Sequence, residues 1–148
     1  MSVSLIFELH QTSTLIMVGI IWMVQIVHYP LMAHVGEDRF SEYSEKNQRW
    51  TTWVVIGPMF VEVTTGILLL FRSSQLRSEL LFTSSLGVLA AIWLSTALLQ
   101  VPIHTGFLKS YSVSQVRRLV RTNWIRTIGW TTRAVQLAIL SDFGASVF

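Results

Sequence analysis

Long apolar stretches recur through this chain, and they constrain its fold more than any other feature. Crossing a hydrocarbon core about 30 Å thick takes about 20 helical residues. The sequence supplies four such segments, over about 5–28, 52–71, 80–101 and 120–140. Lipid offers no hydrogen-bond partners, so each segment must satisfy its backbone internally, which selects helices. The expected architecture is all-α: a single integral membrane four-helix bundle over residues 1–148, in contact with the lipid bilayer. Composition agrees, because charged residues make up only 13% of the chain, against about 25% in globular proteins. The stretch before Leu15 has Glu8 and no Lys or Arg, which argues against a signal peptide and for a retained first span.

The charges that remain are informative by position. The first and third loops hold seven basic residues (Arg39, Lys46, Arg49, Lys109, Arg117, Arg118 and Arg121) against two, Arg72 and Arg77, in the second. By the positive-inside rule, loops one and three are expected in the cytoplasm and both termini on the far side. Residues 34–48 read as a short amphipathic helix lying at the interface, with Phe40 and Tyr43 on its apolar side. Ser112 with Gln115 resembles a capping box and places the start of the fourth helix near Val113. The net charge of +3 is spread too thinly for a nucleic-acid partner. The absence of cysteine excludes a disulfide framework, a thiolate metal site and a Cys nucleophile.

Ionisable residues inside spans are costly and usually face a bundle interior. At about 100° per residue each helix has one polar stripe. Helix one aligns His10, Thr14, Met17, Ile21 and His28, with Gln25 at the margin. Helix two places Glu62 with Thr65, Gly66 and Leu69, where small residues suit close packing. Helix three aligns Ser85, Leu89, Trp93, Thr96 and Gln100, joined by His104 if the helix survives Pro102. Helix four aligns Asn123, Arg126, Trp130 and Arg133. Single glycines at 19, 57, 87 and 129 are expected to serve packing, and Trp22, Trp93 and Trp130 to fill the core.

Antiparallel threading sorts these groups by depth. Glu62 and Arg133 fall near mid-membrane, as a buried pair fixing register or a proton-handling catalytic pair. His10 falls nearer the far side, with Glu8 and Gln11 and no histidine partner. His28, His104, Asn123 and Arg126 share the cytoplasmic third. Two facing imidazoles suffice as axial ligands to haem iron, and Arg126 is placed to neutralise a propionate. Haem is therefore the leading cofactor, with a chlorophyll-type pigment or a quinone as alternatives.

Val101-Pro102-Ile103-His104 followed by Asn123-Trp124-Ile125-Arg126-Thr127 resembles a group of uncharacterised bacterial four-helix membrane proteins. It is similar, more distantly, to the anthrone-oxygenase-like membrane family. Leu9-His10, Trp22-Met23 and Tyr29-Pro30-Leu31 resemble the first helix of HemJ-type and CopD-like proteins. The resemblance implies a bacterial inner-membrane location, a haem role for His10, and tetrapyrrole or oxygen-linked chemistry. The functional expectation is a membrane protein binding a redox-active or aromatic hydrophobic ligand in its interior. The alternative is a non-enzymatic accessory subunit of a respiratory or photosynthetic complex, whose lipid-facing sides bind other subunits. A homo-oligomer is compatible with either, and a transporter is less well supported, since no span has a Gly–Pro unwinding.

Overall fold

The structure, a computed structural model, describes residues 1–107 and 111–143; the sequence's Lys109 lies outside them. Among the described residues the chain is helical, without strands. Helix α1 spans Val3–Met32 and α2 spans Glu37–Arg72. A short α3, Ser74–Ser78, turns the chain into α4, Leu80–Phe107, and α5 covers Val113–Phe143. Three of these, α1, α2 and α4, are long and apolar enough to cross a membrane. Helix α5 is equally long, and its arginines lower its mean hydropathy. Arg126 and Arg133 are nevertheless buried, while Trp124, Ile125, Ile128 and Val135 are exposed on its outer side.

The local chemistry explains the boundaries. Ser2 caps α1 by accepting from the Leu5 N–H at 3.3 Å, and Ser73 caps α3 by accepting from Leu76 N–H at 3.2 Å. Proline inside a helix removes a donor and crowds the preceding turn. Helices α1 and α4 both accommodate theirs by widening: a π-helical turn at Val24–His28 precedes Pro30, and one at Thr96–Gln100 precedes Pro102. Helix α4 therefore does survive Pro102 and carries His104 in its last turns.

One expectation for the first loop is corrected. Residues 34–48 do not form a separate interfacial helix, because α2 begins at Glu37 and runs unbroken to Arg72. At 1.5 Å per residue that is about 54 Å, well beyond a hydrocarbon core of about 30 Å. The projecting part docks back on the bundle: Phe40, fully buried, meets Phe107 edge-on at 5.2 Å and Tyr111 at 4.6 Å.

Helix α1 packs along α2 on one side and α5 on the other, and α5 packs along α4. We call the end of the bundle with Phe40 and Tyr111 the collar end and the opposite end the terminal end. Helix α2 approaches α4 most closely over the latter's last turns, Val101–Phe107, and Leu86 of α4 reaches across to Gly66 of α2 nearer the terminal end. One buried cluster around Met17, Ile21, Ile92 and Trp130 continues to the collar end, and a second around Ile6, Leu69, Phe82 and Leu137 fills the terminal end.

The glycines divide into two groups. A Cβ on Gly129 would sit 2.8 Å from Ile92 Cγ1 and 3.0 Å from its Cδ1, and one on Gly66 would sit 2.8 Å from Leu86 Cδ2. Gly19, Gly57 and Gly87 have open space around theirs, so those three do not serve packing. Gly129→Ala is expected to lower stability by about 1–3 kcal/mol through overpacking, whereas Gly57→Ala and Gly87→Ala are neutral or better. Thermal unfolding in detergent checks this; equal effects at 129 and 87 would contradict the assigned α4–α5 contact.

Candidate functional site: a buried charge cluster and a polar pocket

Two polar assemblies occupy the interior. The first is built from all four long helices around Glu62 of α2, which is fully buried. Glu62 Oε1 accepts from the Arg133 guanidinium through Nη1 and from the Thr14 hydroxyl at 2.7 Å. Glu62 Oε2 accepts from the Trp130 indole N–H at 3.0 Å. Arg133 also donates through Nε to the Ser85 carbonyl at 3.2 Å and through Nη2 to His10 Nε2 at 3.0 Å. A guanidinium can only donate, so His10 Nε2 carries a lone pair and its proton lies on Nδ1. That N–H donates to Thr65 Oγ1 at 2.8 Å, and Thr65 in turn donates to the Val61 carbonyl at 2.5 Å.

The pairing of Glu62 with Arg133 follows from sequence depth, while two of its neighbours do not. His10 was expected apart from this pair, and it instead completes the second side of Arg133. Both its ring nitrogens are committed. Trp130 acts as a donor to the carboxylate as well as a core side chain. Its ring also lies 5.3 Å from the Arg126 guanidinium, so it joins the first assembly to the second.

The second assembly lies toward the collar end. Gln25 Oε1 accepts from Asn123 Nδ2 at 2.9 Å and from Thr127 Oγ1 at 3.2 Å, and Gln25 Nε2 donates to the Val120 carbonyl at 3.1 Å. Asn123 Oδ1 then accepts from Arg126 Nη1 at 3.2 Å. Gln25, expected at the margin of its stripe, is buried because the π-turn at Val24–His28 inserts extra arc per hydrogen bond and turns it inward. Trp93 differs the other way. Eight residues past Ser85, it stands about 80° round the helix, and it faces outward at 38% exposure while Ile92 is buried. Trp22 is likewise exposed, donating to Thr131 Oγ1 at 3.1 Å.

Arg126 is 8% exposed, and among the described residues no carboxylate pairs with it. The Tyr29 hydroxyl faces its guanidinium and lies 3.2 Å from His104 Nε2. The hydroxyl donates to that nitrogen in one His104 tautomer and accepts from it in the other, so His104 Nδ1 is an N–H in the first and a lone pair in the second. His104 Nδ1, Arg126 Nε and Gln100 Oε1 are buried and make no hydrogen bond. All three residues, with Tyr29, Gln48 and Thr96, line a cavity of about 180 Å³. Tyr29, absent from the sequence-derived stripes, is the residue most easily missed there: it follows the turn where the 3.6 period breaks.

His28 and His104 do come to the same end of the bundle. Each ring lies 5.8 Å from the Tyr29 ring, and Asn47 engages His28. A haem does not fit this arrangement. Tyr29 holds His104 Nε2, and 180 Å³ falls below the roughly 300–1,000 Å³ of sites that enclose drug-sized ligands. Among the described residues no group of three His, Asp or Glu is disposed to hold a metal ion.

Three long apolar helices packed with a fourth around a buried charge cluster, and a half-open cavity of mixed polar and apolar lining, define a helical membrane protein. No protein-family model, curated protein or solved structure matches the chain.

Proposed function

We propose that this is a four-span membrane protein, its collar end cytoplasmic, that binds a small ligand through an anionic oxygen group at Arg126. One observation carries the reading: among the described residues, a buried guanidinium without a counter-charge stands beside a half-open cavity. Burying an isolated cation is expensive, and the usual solution is pairing. Arg133 has that solution in Glu62, whereas Arg126 has only neutral neighbours, Asn123, Tyr29 and the Trp130 face. A carboxylate or other oxyanion in the cavity would supply the missing charge. It would also accept from Arg126 Nε, a cavity-lining donor left without a partner, and from His104 Nδ1 in the tautomer that places the proton there. A neutral quinone carbonyl would meet the hydrogen-bond demand and leave the charge uncompensated. The Glu62–Arg133–His10 cluster is then the electrostatic floor of the site, coupled to it through Trp130, and any proton-handling by that cluster would act on the bound group from there.

The test uses 2-naphthoate, a compact fluorescent anion, with the protein in phosphatidylcholine nanodiscs. Wild type is expected to bind it and to gain about 2.7 kcal/mol of stability at a hundred times the dissociation constant. Methyl 2-naphthoate should bind at least tenfold more weakly, and Arg126→Gln should abolish the preference for the acid. Equal affinity of wild type and Arg126→Gln for the anion would overturn the reading. So would a haem absorption band in the purified protein that disappears in both His28→Ala and His104→Ala.

A further inference from the structure

The Arg126 cavity is unevenly supplied with hydrogen-bonding groups, and the imbalance says what else its ligand carries. Thr51, Thr52, Thr96 and Thr105 all line it, and each hydroxyl already donates elsewhere. Thr52 donates to the Gln48 carbonyl at 2.7 Å, Thr96 to the Ile92 carbonyl at 2.9 Å and Thr105 to the Val101 carbonyl at 2.9 Å. Thr51 donates to Asn47 Oδ1 at 3.3 Å. A hydroxyl that has given its proton away offers only lone pairs.

Gln100 is 2% exposed, and its amide has one way to turn. Its partner, Thr122 Oγ1 at 3.1 Å, donates its own proton to the Arg118 carbonyl at 2.8 Å and so can only accept. The group facing Thr122 is therefore Nε2, which leaves Oε1 buried without a donor. A buried acceptor without a donor is costly, as is a buried cation without an anion. The two lie close in depth. Thr122 precedes Arg126 by four residues, about 6 Å of helix, and the Arg126 guanidinium turns back toward that level through its bond to Asn123.

We infer that the ligand is a small hydroxylated carboxylate, its anionic oxygens at Arg126 and a hydroxyl donating to Gln100 Oε1. This rests on the anion site proposed above and names the class of acid that fills it. The rest of the lining sets its frame. Met17, Ile20, Ile21, Val24, Val55 and Val101 form an apolar wall. An apolar cavity of about 150 Å³ takes up benzene, so 180 Å³ suits one substituted ring. The exposed lining residues, Thr52, Val101 and Thr105, belong to α2 and α4, so the cavity opens between those helices. A ring-hydroxylated benzoate combines these features. A plain hydrocarbon acid would satisfy Arg126 and leave Gln100 without a donor. Water would donate to Gln100 and bring no charge to Arg126.

The test measures displacement of 2-naphthoate, in phosphatidylcholine nanodiscs, by benzoate, its 3- and 4-hydroxy derivatives and their methyl ethers. At either ring position the hydroxyl is out of reach of its own carboxylate, so its proton is free for the protein. One of the two hydroxy acids is expected to bind wild type about tenfold tighter than benzoate, the worth of one net hydrogen bond. Its methyl ether, which has lost the proton, should bind no tighter than benzoate. Gln100→Met, similar in volume and without a hydrogen-bonding amide, should erase the preference for the hydroxy acid. Thr122 keeps its bond to the Arg118 carbonyl in that variant, so no donor is stranded. Arg126→Gln is expected to weaken every acid in the series. Wild type that binds both hydroxy acids no better than benzoate would overturn the inference while the anion site stands. A preference kept in Gln100→Met would also overturn it, since the hydroxyl would then be recognised elsewhere. Affinities unmoved by Arg126→Gln across the series would remove the anion site itself.

Discussion

Glu62→Gln lowers the unfolding free energy of the protein by about 3–5 kcal/mol, the cost of leaving one member of a buried ion pair without its partner. The carboxylate accepts three side-chain hydrogen bonds, from Arg133 and Thr14 on one oxygen and from Trp130 on the other. An amide offers one oxygen and one NH₂. Whichever way it turns, its NH₂ must face either the Trp130 N–H or the guanidinium, donor against donor. Arg133 would keep its charge in a fully buried position with only the Ser85 carbonyl and His10 Nε2 as acceptors. The paired replacement of Glu62 by Leu with Arg133 by Met is expected to recover most of the loss, since apolar residues of similar volume often substitute for a buried pair at little cost. Thermal and denaturant unfolding of wild type, Glu62→Leu, Arg133→Met and the double variant close the cycle. Strictly additive losses, with no coupling between positions 62 and 133, would show that the pair contributes nothing as a pair.

Arg126→Met is expected to act in the opposite direction. In the ligand-free protein it raises stability by about 1–3 kcal/mol, because it removes an uncompensated buried charge and gives up a cation–π contact worth about 0.5–2 kcal/mol. The bond from Nη1 to Asn123 is lost, yet Asn123 keeps Gln25 through its Nδ2. Ligand binding should disappear in the same variant. Such an exchange of stability for function is the usual mark of a side chain held in place for a ligand. Unfolding measurements on ligand-stripped protein decide it. A loss of stability comparable to that of Glu62→Gln would mean that Asn123, Tyr29 and Trp130 already satisfy the guanidinium, and that nothing further is needed in the cavity. Two buried arginines seven residues apart on one helix thus give contrasting outcomes, set by the presence or absence of a carboxylate.

Much of the helical framework was legible in the residues. The inward stripe Thr14, Met17 and Ile21 is buried as the 3.6 period requires, and so are Glu62, Thr65, Gly66 and Leu69. Helix α5 starts at Val113, where Ser112 and Gln115 indicated. The misplacements have local causes. The line from Ser85 through Leu89 to Trp93 drifts round the helix when stepped by fours, and the buried line runs Phe82, Ser85, Leu89, Ile92. Gln25 turned inward because the helix widens before Pro30, an adjustment that a uniform 100° step does not contain. The amphipathic run at 34–48 reads in sequence as a separate helix, since no periodicity distinguishes a free segment from one continuous with the span that follows.

That this chain folds as apolar helices with polar seams, and that Glu62 and Arg133 meet at one depth, is written in residue order, because lipid length and helical period act along a single segment. Three things required the packed molecule: His10 on the far side of Arg133, Arg126 left without a counter-charge, and the opening between α2 and α4. Each depends on the lateral distance between helices, and that distance is set by which side chains interdigitate across the bundle, a quantity that no one-dimensional pattern encodes.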